Sequence, residues 1–316
     1  MRILITGGAG FIGTNLAERL LKDGHHVHVL DNFSTGVLAN VKRLGGHGRF
    51  SWAAGDVIDR PPFDSAYWPN KVDRIYNLAS RASPKAYAAS PLETLMTSTH
   101  GMAAVLEYAR ICSARVLQAS TSEVYGDPAI SPQRESYWGH VNPIGPRACY
   151  DEGKRVAETI CTEYANTQGA QVRIARIFNT YGPFMQPDDG RVVSNFVTQA
   201  LRGEALTVYG NGKQTRSLCY IDDTVEGMIR LMESPLDIPV NIGNPTEITM
   251  IQLAAAVFQA TGQGRGTIIH KNLPTDDPRR RCPDISRAKW ALYWEPKVEL
   301  AKGLSRTVAY FREIAT

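Results

Sequence analysis

A glycine-rich segment directly after the first apolar run constrains this chain more than any other feature of its sequence. Residues 2–5 form a short β-branched and aliphatic run, which is typical of a strand buried on both faces. In residues 6–13 glycines recur at the spacings Gly-x-Gly-x-x-Gly and Gly-x-x-Gly-x-x-Gly. A helical pattern follows at once, with Leu16, Leu20 and Leu21 on one face. Strand, glycine turn and helix in this order predict a dinucleotide-binding βαβ unit.

The physical reason lies in the backbone of the glycine turn. Glycines let the chain approach a pyrophosphate closely, and the helix that follows points its free N–H groups at the phosphates. A second strand, residues 27–30, ends in Asp31, eighteen residues past Gly13. A carboxylate there can accept a hydrogen bond from a ribose 2′-hydroxyl and would repel a 2′-phosphate. We therefore expect NAD rather than NADP, with Asp56, which follows the strand-like residues 50–52, near the adenine end.

The composition of the chain limits which classes of protein it can belong to. A chain of 316 residues exceeds the size of a single hydrophobic core, which favours a large domain and a smaller one. The apolar fraction of 43% and the charged fraction of 21% are those of a globular protein, and the apolar runs are too short for a membrane span. The net charge of +4 is too small and too scattered for nucleic acid.

The cysteines and the first residues suggest the compartment. Five cysteines without Cys-x-x-Cys spacing argue against a disulfide scaffold and a zinc module, and we expect no metal site. The chain runs from Met1 straight into the glycine turn, so we expect no signal peptide and a cytoplasmic location.

The alternation of strands and helices predicts the architecture. Strand-like runs recur at residues 74–78, 116–120 and 172–175, separated by helical stretches at 94–111 and 151–167. This pattern predicts an α/β fold with a Rossmann-type, doubly wound parallel sheet. We expect an NAD-binding domain over residues 1–180. Residues 181–316 are then mainly a smaller carboxy-terminal substrate-binding lobe, with some segments returning to the large domain.

A tyrosine and a lysine supply the predicted acid–base chemistry. Four Tyr-x-x-x-Lys spacings occur, but those at residues 67–71, 209–213 and 293–297 are interrupted by proline or glycine. Tyr150 and Lys154 instead open a helical stretch, where residues four apart are neighbours. We expect the lysine to lower the tyrosine pKa, so that Tyr150 acts as general base toward a sugar hydroxyl and as general acid on the return step.

A second polar segment, residues 120–126, follows the strand-like run 116–119. It therefore lies at the carboxyl end of a parallel strand, where open α/β sheets place their sites. Thr121 is positioned to bind a substrate hydroxyl beside the tyrosine, and Glu123 is a candidate second acid–base group.

Together these motifs resemble the extended short-chain dehydrogenase/reductase family, whose members act on nucleotide sugars. The similarity covers nearly the whole chain and is strongest to UDP-glucuronate decarboxylases. It is most specific in residues 120–128, 137–155, 176–183 and 188–196, with a further stretch at 276–284.

The resemblance implies the set of site residues. The catalytic group comprises Thr121, Glu123, Tyr150, Lys154 and Arg281, with Arg281 against the sugar carboxylate. The substrate group comprises Arg81, Glu123, Asn179, Arg191, Arg216 and Arg281. The cofactor group comprises Gly7, Gly10, Phe11, Ile12, Gly13, Asp31, Asn32, Ser34, Thr35, Gly36, Asp56, Val57, Leu78, Ser80, Tyr150 and Lys154.

The resemblance also implies a homodimer, in which helices near residues 99–111 and 155–164 pair, and NAD as cofactor. The implied reaction is transient oxidation at C4 of a nucleotide-linked sugar. On UDP-glucuronate this gives a β-keto acid that loses CO₂, and reprotonation at C5, by Glu123 or a water, leads to UDP-xylose. A nucleotide-sugar 4-epimerase needs the same oxidation without loss of CO₂ and stays an alternative. A more remote alternative is an NAD-binding protein without turnover.

Four departures from the decarboxylase pattern bear on this choice. Arg81 replaces a usual proline, Met96 and Ser98 replace a usual lysine and asparagine, and Cys282 replaces a lysine. The two lost cations favour an epimerase, whereas the intact Thr-Ser-Glu motif and Arg281 favour a decarboxylase.

Overall fold

The computed structural model describes residues 1–59, 69, 71–187, 189–272 and 280–315. Within these ranges the strands, in chain order, are β1 (Arg2–Thr6), β2 (His26–Asp31), β3 (Phe50–Ala54), β4 (Arg74–Asn77), β5 (Arg115–Thr121), β6 (Val172–Ile177), β7 (Thr180–Tyr181), β8 (Leu206–Tyr209), β9 (Thr215–Ser217), β10 (Cys219–Tyr220), β11 (Val240–Ile242), β12 (Glu247–Thr249) and β13 (Ile268–Lys271).

The α-helices of the same residues are α1 (Phe11–Lys22), α2 (Leu38–Leu44), α3 (Pro84–Ala89), α4 (Pro91–Met96), α5 (Met102–Cys112), α6 (Ala148–Gln168), α7 (Val192–Leu201), α8 (Ile221–Glu233), α9 (Met250–Thr261), α10 (Ser286–Leu292) and α11 (Leu300–Ala315). A π-helical turn, Thr97–Gly101, joins α4 to α5, and a 3₁₀ turn, Ser122–Tyr125, follows β5.

Seven of the described strands form one parallel sheet in the order β11-β6-β5-β4-β1-β2-β3. The chain first moves outward from β1 through β2 and β3, and then crosses to β4 on the other side of β1. The sheet is therefore doubly wound, and the predicted fold class is confirmed. At the reversal between β1 and β4 the connecting loops leave a crevice at the carboxyl ends of the strands.

The apolar pattern of β1 explains how helices cover both faces of the sheet. Successive strand side chains point to opposite faces. Ile3 and Ile5 accordingly belong to one core, which includes Leu16 and Leu20 of α1, while Leu4 belongs to the other. The second core includes Val105 of α5 and buried residues of α6. Burial of the inner strands on both faces explains why the runs of β1, β5 and β6 are largely apolar, whereas the edge strand β3 is partly exposed.

Two predicted helices differ from the structure at their ends. The stretch expected over residues 94–111 begins at Pro91, because proline suits the first helical position, and it contains the π turn. The stretch expected over residues 151–167 begins earlier, at Ala148, and ends at Gln168 before Gly169 in the left-handed conformation.

Residues after 181 contribute to both parts of the molecule. β11 extends the large sheet beside β6, and α8 packs against β5 and β6. Elsewhere β8 pairs with β13, and α9 begins with a capping box between Thr249 and Gln252. The division at residue 180 stays a prediction. None of the helices in the described ranges has the length and apolarity needed to traverse a bilayer.

Close packing of the glycine turn sets the position of α1. Gly7 has a φ of +68°, and a Cβ there would lie 2.8 Å from the Ala79 backbone. A Cβ on Gly13 would lie 2.5 Å from the Gly7 carbonyl oxygen and 2.6 Å from the Gly8 Cα. The first turn of α1 can thus rest on the turn only if residue 13 has no side chain.

We therefore expect Gly13→Ala to lower the free energy of unfolding by about 1–3 kcal/mol, because the extra methyl group displaces backbone rather than a flexible side chain. Urea denaturation of the purified protein measures this. Gly46→Ala is the matched control, since nothing lies within 4 Å of its Cβ position. We expect the control to change stability by about 0.5 kcal/mol or less. Equal stability of the two variants would contradict the packing argument.

Candidate active site

The sequence-predicted residues converge on the carboxyl ends of β1, β4, β5 and β6. Gly7 follows β1, Leu78 follows β4, Thr121 ends β5 and Asn179 lies just beyond β6. Because these strands are neighbours and parallel, their carboxyl ends meet at one edge of the sheet. The edge coincides with the reversal of strand order, where α/β sheets bind ligands.

The glycine turn fits a pyrophosphate. Gly10 is the N-cap residue of α1 and supplies no side-chain cap, so the first N–H groups of the helix, on Phe11 and Ile12, have no intrahelical acceptor. A Cβ on Gly10 would meet the Gly7 carbonyl oxygen at 3.3 Å, a tight contact but less severe than those at Gly7 and Gly13. A phosphate can therefore approach the backbone at this point.

The predicted ribose and adenine residues form a hydrogen-bonded loop. The Asp31 carboxylate accepts from the backbone N–H groups of Ala9 (2.9 Å) and Phe33 (2.8 Å), and burial raises its pKa. Asn32 donates to Asp56 at 2.6 Å. A Cβ on Gly36 would lie 2.6 Å from the Asp31 Oδ1, so the chain passes close over the carboxylate.

The other predicted cofactor residues surround this loop. Ser34 N–H donates to the Asn32 side chain, and the Thr35 carbonyl accepts from Gln186. Val57 is buried beside Gly101. Ser80, just past β4, has a buried hydroxyl without a partner among the described residues. An orphaned hydroxyl at the sheet edge is free to bind a cofactor, so the residues present fit a dinucleotide.

Tyr150 and Lys154 lie on the buried face of α6, beneath the end of β5. Tyr150 forms a side-chain hydrogen bond with Thr121, the residue expected to bind a substrate hydroxyl beside it. The Lys154 Nζ donates to the Ala119 carbonyl oxygen at 2.9 Å and lies 5.9 Å from the centre of the Tyr150 ring. Burial lowers the pKa of Lys154 to about 8.

The expected effect of Lys154 on the tyrosine is wrong for this structure. Burial raises the pKa of Tyr150 above its ordinary value, and it outweighs the opposing hydrogen bond from Thr121. The cation that lowers this pKa is Arg191, while Lys154 is engaged with a backbone carbonyl. Sequence spacing placed the two side chains on one helical face but could not show how completely both are buried.

Glu123 lies in a buried ion-pair cluster. Its Oε2 accepts from the Arg281 Nη2 at 2.5 Å and also from the Arg147 Nη2. Arg281 is only 2% exposed, and its Nη1 donates to the Gly126 carbonyl oxygen at 2.6 Å. Through these two contacts Arg281 joins the carboxy-terminal part of the chain to the residues that follow β5.

The arginines decide the protonation of Glu123. Burial by itself would raise the pKa of this carboxyl, but Arg281 and Arg147 together hold it below its ordinary value. Glu123 is therefore a carboxylate in this arrangement, which is wrong for the proton donor expected at C5. Its contacts make it the anion that orients two guanidinium groups.

The remaining predicted substrate residues occupy different surroundings. Arg191 is the N-cap residue of α7 and lies 3.5 Å from Asp189. Arg216, on β9, contributes positive charge at Glu123. The Asn179 carbonyl accepts from Cys219 N–H at 2.9 Å. Arg81 has no hydrogen bond or ion pair to another residue in the ranges that the structure describes.

Three residues of the site were missed by sequence reasoning. Arg147 binds Glu123, and Asp151 lies 3.7 Å from Arg147. Tyr87 of α3 stacks on Tyr150, with ring centres 5.2 Å apart and planes at 12°. The four-residue spacing of Arg147 and Asp151 at a helix start was an available signal, but nothing near Tyr87 in sequence marks its stacking partner.

Three of the residues that depart from the decarboxylase pattern, Cys282, Ser98 and Met96, have surroundings other than the ion pairs of Glu123. The Cys282 Sγ points at the Pro245 carbonyl oxygen, 3.3 Å away. Ser98 is buried in the π turn against Gly153, and Met96 is partly exposed at the end of α4. Residues 188 and 276–279 of the quoted motifs lie outside the described residues.

Among the described residues no group of three or more His, Cys, Asp and Glu side chains is arranged to hold a metal ion. At the end of β5 the structure brings together a buried phenol, a buried lysine and a paired set of arginines and carboxylates.

Comparison with known proteins agrees with this geometry. The chain is 54% identical to UDP-glucuronic acid decarboxylase 1 of Xenopus tropicalis over 99% of its own length and 72% of that protein. The structure of UDP-glucose 4-epimerase from Thermotoga maritima matches with a TM-score of 0.90 and 30% identity over the full length of both chains. UDP-glucuronic acid 4-epimerase of Bacillus cereus, solved with UDP-glucuronic acid and NAD, matches with a TM-score of 0.88 and 26% identity over 99% and 100% of the two chains.

The model of the NAD dependent epimerase/dehydratase family matches residues 3–243. This covers more than half of the chain, and the resemblance predicted from the motifs is confirmed. The chain belongs to the NAD dependent epimerase/dehydratase family.

Proposed function

We propose that this protein is an enzyme that uses NAD to decarboxylate UDP-glucuronate to UDP-xylose. The observation that carries the proposal is the buried Arg281, which pairs with Glu123 just past the end of β5 and has an unpartnered Nε among the described residues. Relatives named UDP-glucuronic acid decarboxylase are 50–54% identical over almost the whole chain, which supports the same reaction.

Each residue has a defined task in this proposal. NAD, when bound, supplies reversible hydride chemistry at C4 of the sugar. Thr121 binds the C4 hydroxyl and presents it to Tyr150. Because burial opposes ionisation of the phenol, Tyr150 must first lose its own proton; the phenolate then accepts the proton of the hydroxyl and later returns it. Lys154, held by the Ala119 carbonyl, adds positive charge beneath the ring. Tyr87 stacks on the phenol and limits its rotation.

The charged cluster handles the carboxylate. Arg281 binds the C6 carboxylate of the sugar, so that the group leaving as CO₂ is held beside C5. Arg147 retains Glu123 when the substrate competes for Arg281. Because Glu123 is held ionised, a water molecule rather than this carboxyl is the remaining candidate donor to C5.

The alternative, 4-epimerisation, is supported by the epimerases among the structural neighbours. These are 26–30% identical to the chain, well below the decarboxylases. Cys282 weakly favoured an epimerase in the sequence, but its side chain contacts Pro245 rather than the charged cluster. An NAD-binding protein without turnover is disfavoured, since the phenol, lysine and threonine of the reaction are assembled.

We also propose a homodimer formed through α5 and α6. Ile111 and Val156, one on each of these helices, are exposed apolar side chains. A cytoplasmic location is proposed as well. All five cysteines are free, which suits a reducing compartment.

The reaction is tested by incubating the protein with UDP-glucuronate and NAD and measuring the mass of the sugar-nucleotide product by mass spectrometry. Decarboxylation removes CO₂ and lowers the mass by that of CO₂, whereas epimerisation leaves it unchanged. We expect Tyr150→Phe to slow the reaction by about 10²–10⁴-fold, because the proton acceptor is lost. An isomer of unchanged mass would establish the alternative, and a full rate in the variant would remove Tyr150 from the mechanism.

Arg281→Ala tests the carboxylate contact, with the adjacent Arg280→Ala as matched control. Arg280 is 58% exposed and pairs with Glu247, away from Glu123. We expect Arg281→Ala to lower kcat/KM for UDP-glucuronate by about 30-fold or more, since a buried charge pair is worth about 2–5 kcal/mol. UDP-xylose, which has no carboxylate, should bind both variants with similar affinity. An equal loss for both ligands would indicate a general structural effect instead.

The dimer is tested by analytical ultracentrifugation of Val156→Glu. Val156 is 39% exposed on α6, so burying a charge there would disrupt the proposed interface. Trp290→Glu on α10 is the control, because Trp290 is 65% exposed but lies outside these helices. We expect the first variant to be monomeric and the control to stay dimeric. A monomeric wild-type protein would contradict the proposal.

A further inference from the structure

One buried carboxyl group of the site has no task in the proposed reaction. Asp151 is 7% exposed, and its Oδ1 has no hydrogen-bond partner among the described residues. Its Oδ2 lies 3.7 Å from the Arg147 Nε. Arg147 also binds Glu123 through Nη2. The Arg147 guanidinium group therefore lies between two carboxyl groups. A change in the charge of Asp151 changes how strongly Arg147 binds Glu123.

The charge balance of this cluster depends on Asp151. Two arginines, Arg147 and Arg281, face Glu123 and Asp151, and Glu123 is held ionised. Among the four groups joined by these ion pairs, the charges cancel when Asp151 is ionised and leave one positive charge when Asp151 is protonated. Arg216 adds positive charge at Glu123 in both states. Burial, reinforced by the Glu123 charge and opposed by the two arginines, raises the pKa of Asp151 to about 7. Both states are accessible near neutral pH.

Binding of a uronate changes this balance. A sugar carboxylate on Arg281 brings a further negative charge into a buried cluster that already contains Glu123. With Asp151 ionised, three carboxylates would share two guanidinium groups, which is costly away from water. With Asp151 protonated, two carboxylates face the two ion-paired guanidinium groups, and the proton offsets the negative charge that the sugar brings.

We propose that Asp151 is a positioning residue that takes up a proton when the substrate carboxylate binds. Neutral Asp151 leaves Arg147 to Glu123, so that Glu123 can release Arg281 to the sugar. Uronate binding is thereby linked to one proton, whereas binding of the same nucleotide with a neutral pentose is not. The inference rests on the proposed function, since it requires a uronate at Arg281.

The other groups around Asp151 do not produce the same behaviour. Burial raises the pKa of both Tyr87 and Tyr150 above the ordinary value of tyrosine, and burial likewise raises the pKa of the Cys149 thiol. Glu152, next on the helix, faces Arg155 at 3.5 Å. The charged and titratable groups facing Asp151 are Glu123, Arg147, Arg281, Glu152, Cys149, Tyr87 and Tyr150. Lys154 has a pKa of about 8 and also changes charge in this pH range. We expect it to affect the binding of UDP-glucuronate and of UDP-xylose equally, so a comparison of the two ligands removes its contribution to the pH dependence.

The test measures binding without turnover, in the Tyr150→Phe background with NAD present. Isothermal titration calorimetry gives the Kd of UDP-glucuronate and of UDP-xylose at pH 6 and pH 8. The sign follows from linkage: the bound state favours protonated Asp151, so affinity for the uronate falls as pH rises through the pKa of the free carboxyl. We expect the Kd of UDP-glucuronate to rise about tenfold over this range and that of UDP-xylose to stay constant.

Two further variants in the same background distinguish the contribution of Asp151 to the pH dependence from that of the adjacent Glu152. Asp151→Asn is permanently neutral at the same size, so its affinity for UDP-glucuronate should be independent of pH. Glu152→Gln removes the adjacent carboxylate and should keep the tenfold change. A pH dependence that persists in Asp151→Asn, or one equal for both ligands, would overturn the inference.

Proton uptake gives a second measurement that does not require the Asp151 variant to fold. Calorimetry at pH 8 in two buffers of different ionisation enthalpy should show close to one proton taken up per UDP-glucuronate and none per UDP-xylose. Equal uptake for the two ligands would contradict the role of Asp151. Failure of UDP-glucuronate to bind at all would instead overturn the proposed function, and the two failures are therefore distinguishable.

Discussion

The burial of Arg281 is the constraint on which the site depends. A guanidinium group cannot leave water without partners, and here the Glu123 carboxylate and the Gly126 carbonyl provide them. Both partners follow β5, whereas Arg281 comes from the carboxy-terminal part of the chain. The ion pair thus joins the carboxy-terminal part of the chain to the segment that follows β5, the strand that ends in Thr121.

The charged side chains around Glu123 in the described part of the chain are paired with one another, and none of them is an isolated buried charge. Glu123 is kept ionised by two arginines, and one of them also faces Asp151. An entering carboxylate must therefore exchange partners within the cluster. Tyr150 is different, because burial opposes its ionisation and its only close polar partner in the acid–base set is Thr121. In the proposed reaction, proton transfer at the phenol and anion binding at the arginines are therefore carried by neighbouring but distinct groups.

Much of the fold and of the cofactor side could be predicted from sequence because both depend on local patterns. Continuous apolar runs predicted buried parallel strands, and the glycine spacing predicted a turn whose Gly13 rests on the Gly7 carbonyl. The placement of Thr121 at the end of β5 and of Tyr150 on α6 brought the two side chains into contact. The π turn at Thr97–Gly101 was not predictable, since no local residue pattern specifies one.

The sequence by itself determined the order of strands and helices, the dinucleotide turn, the Tyr150–Lys154 pair and the membership of a family of nucleotide-sugar enzymes, because these follow from periodicity and short spacings. Only the tertiary structure decided the protonation states and the partners of the charges. Arg147 at the start of α6 and Arg281 near the carboxy terminus meet Glu123 from separate parts of the chain, and Arg147 also faces Asp151. The pKa of a carboxyl or a phenol depends on burial and on charges a few ångströms away, and neither is encoded in neighbouring residues.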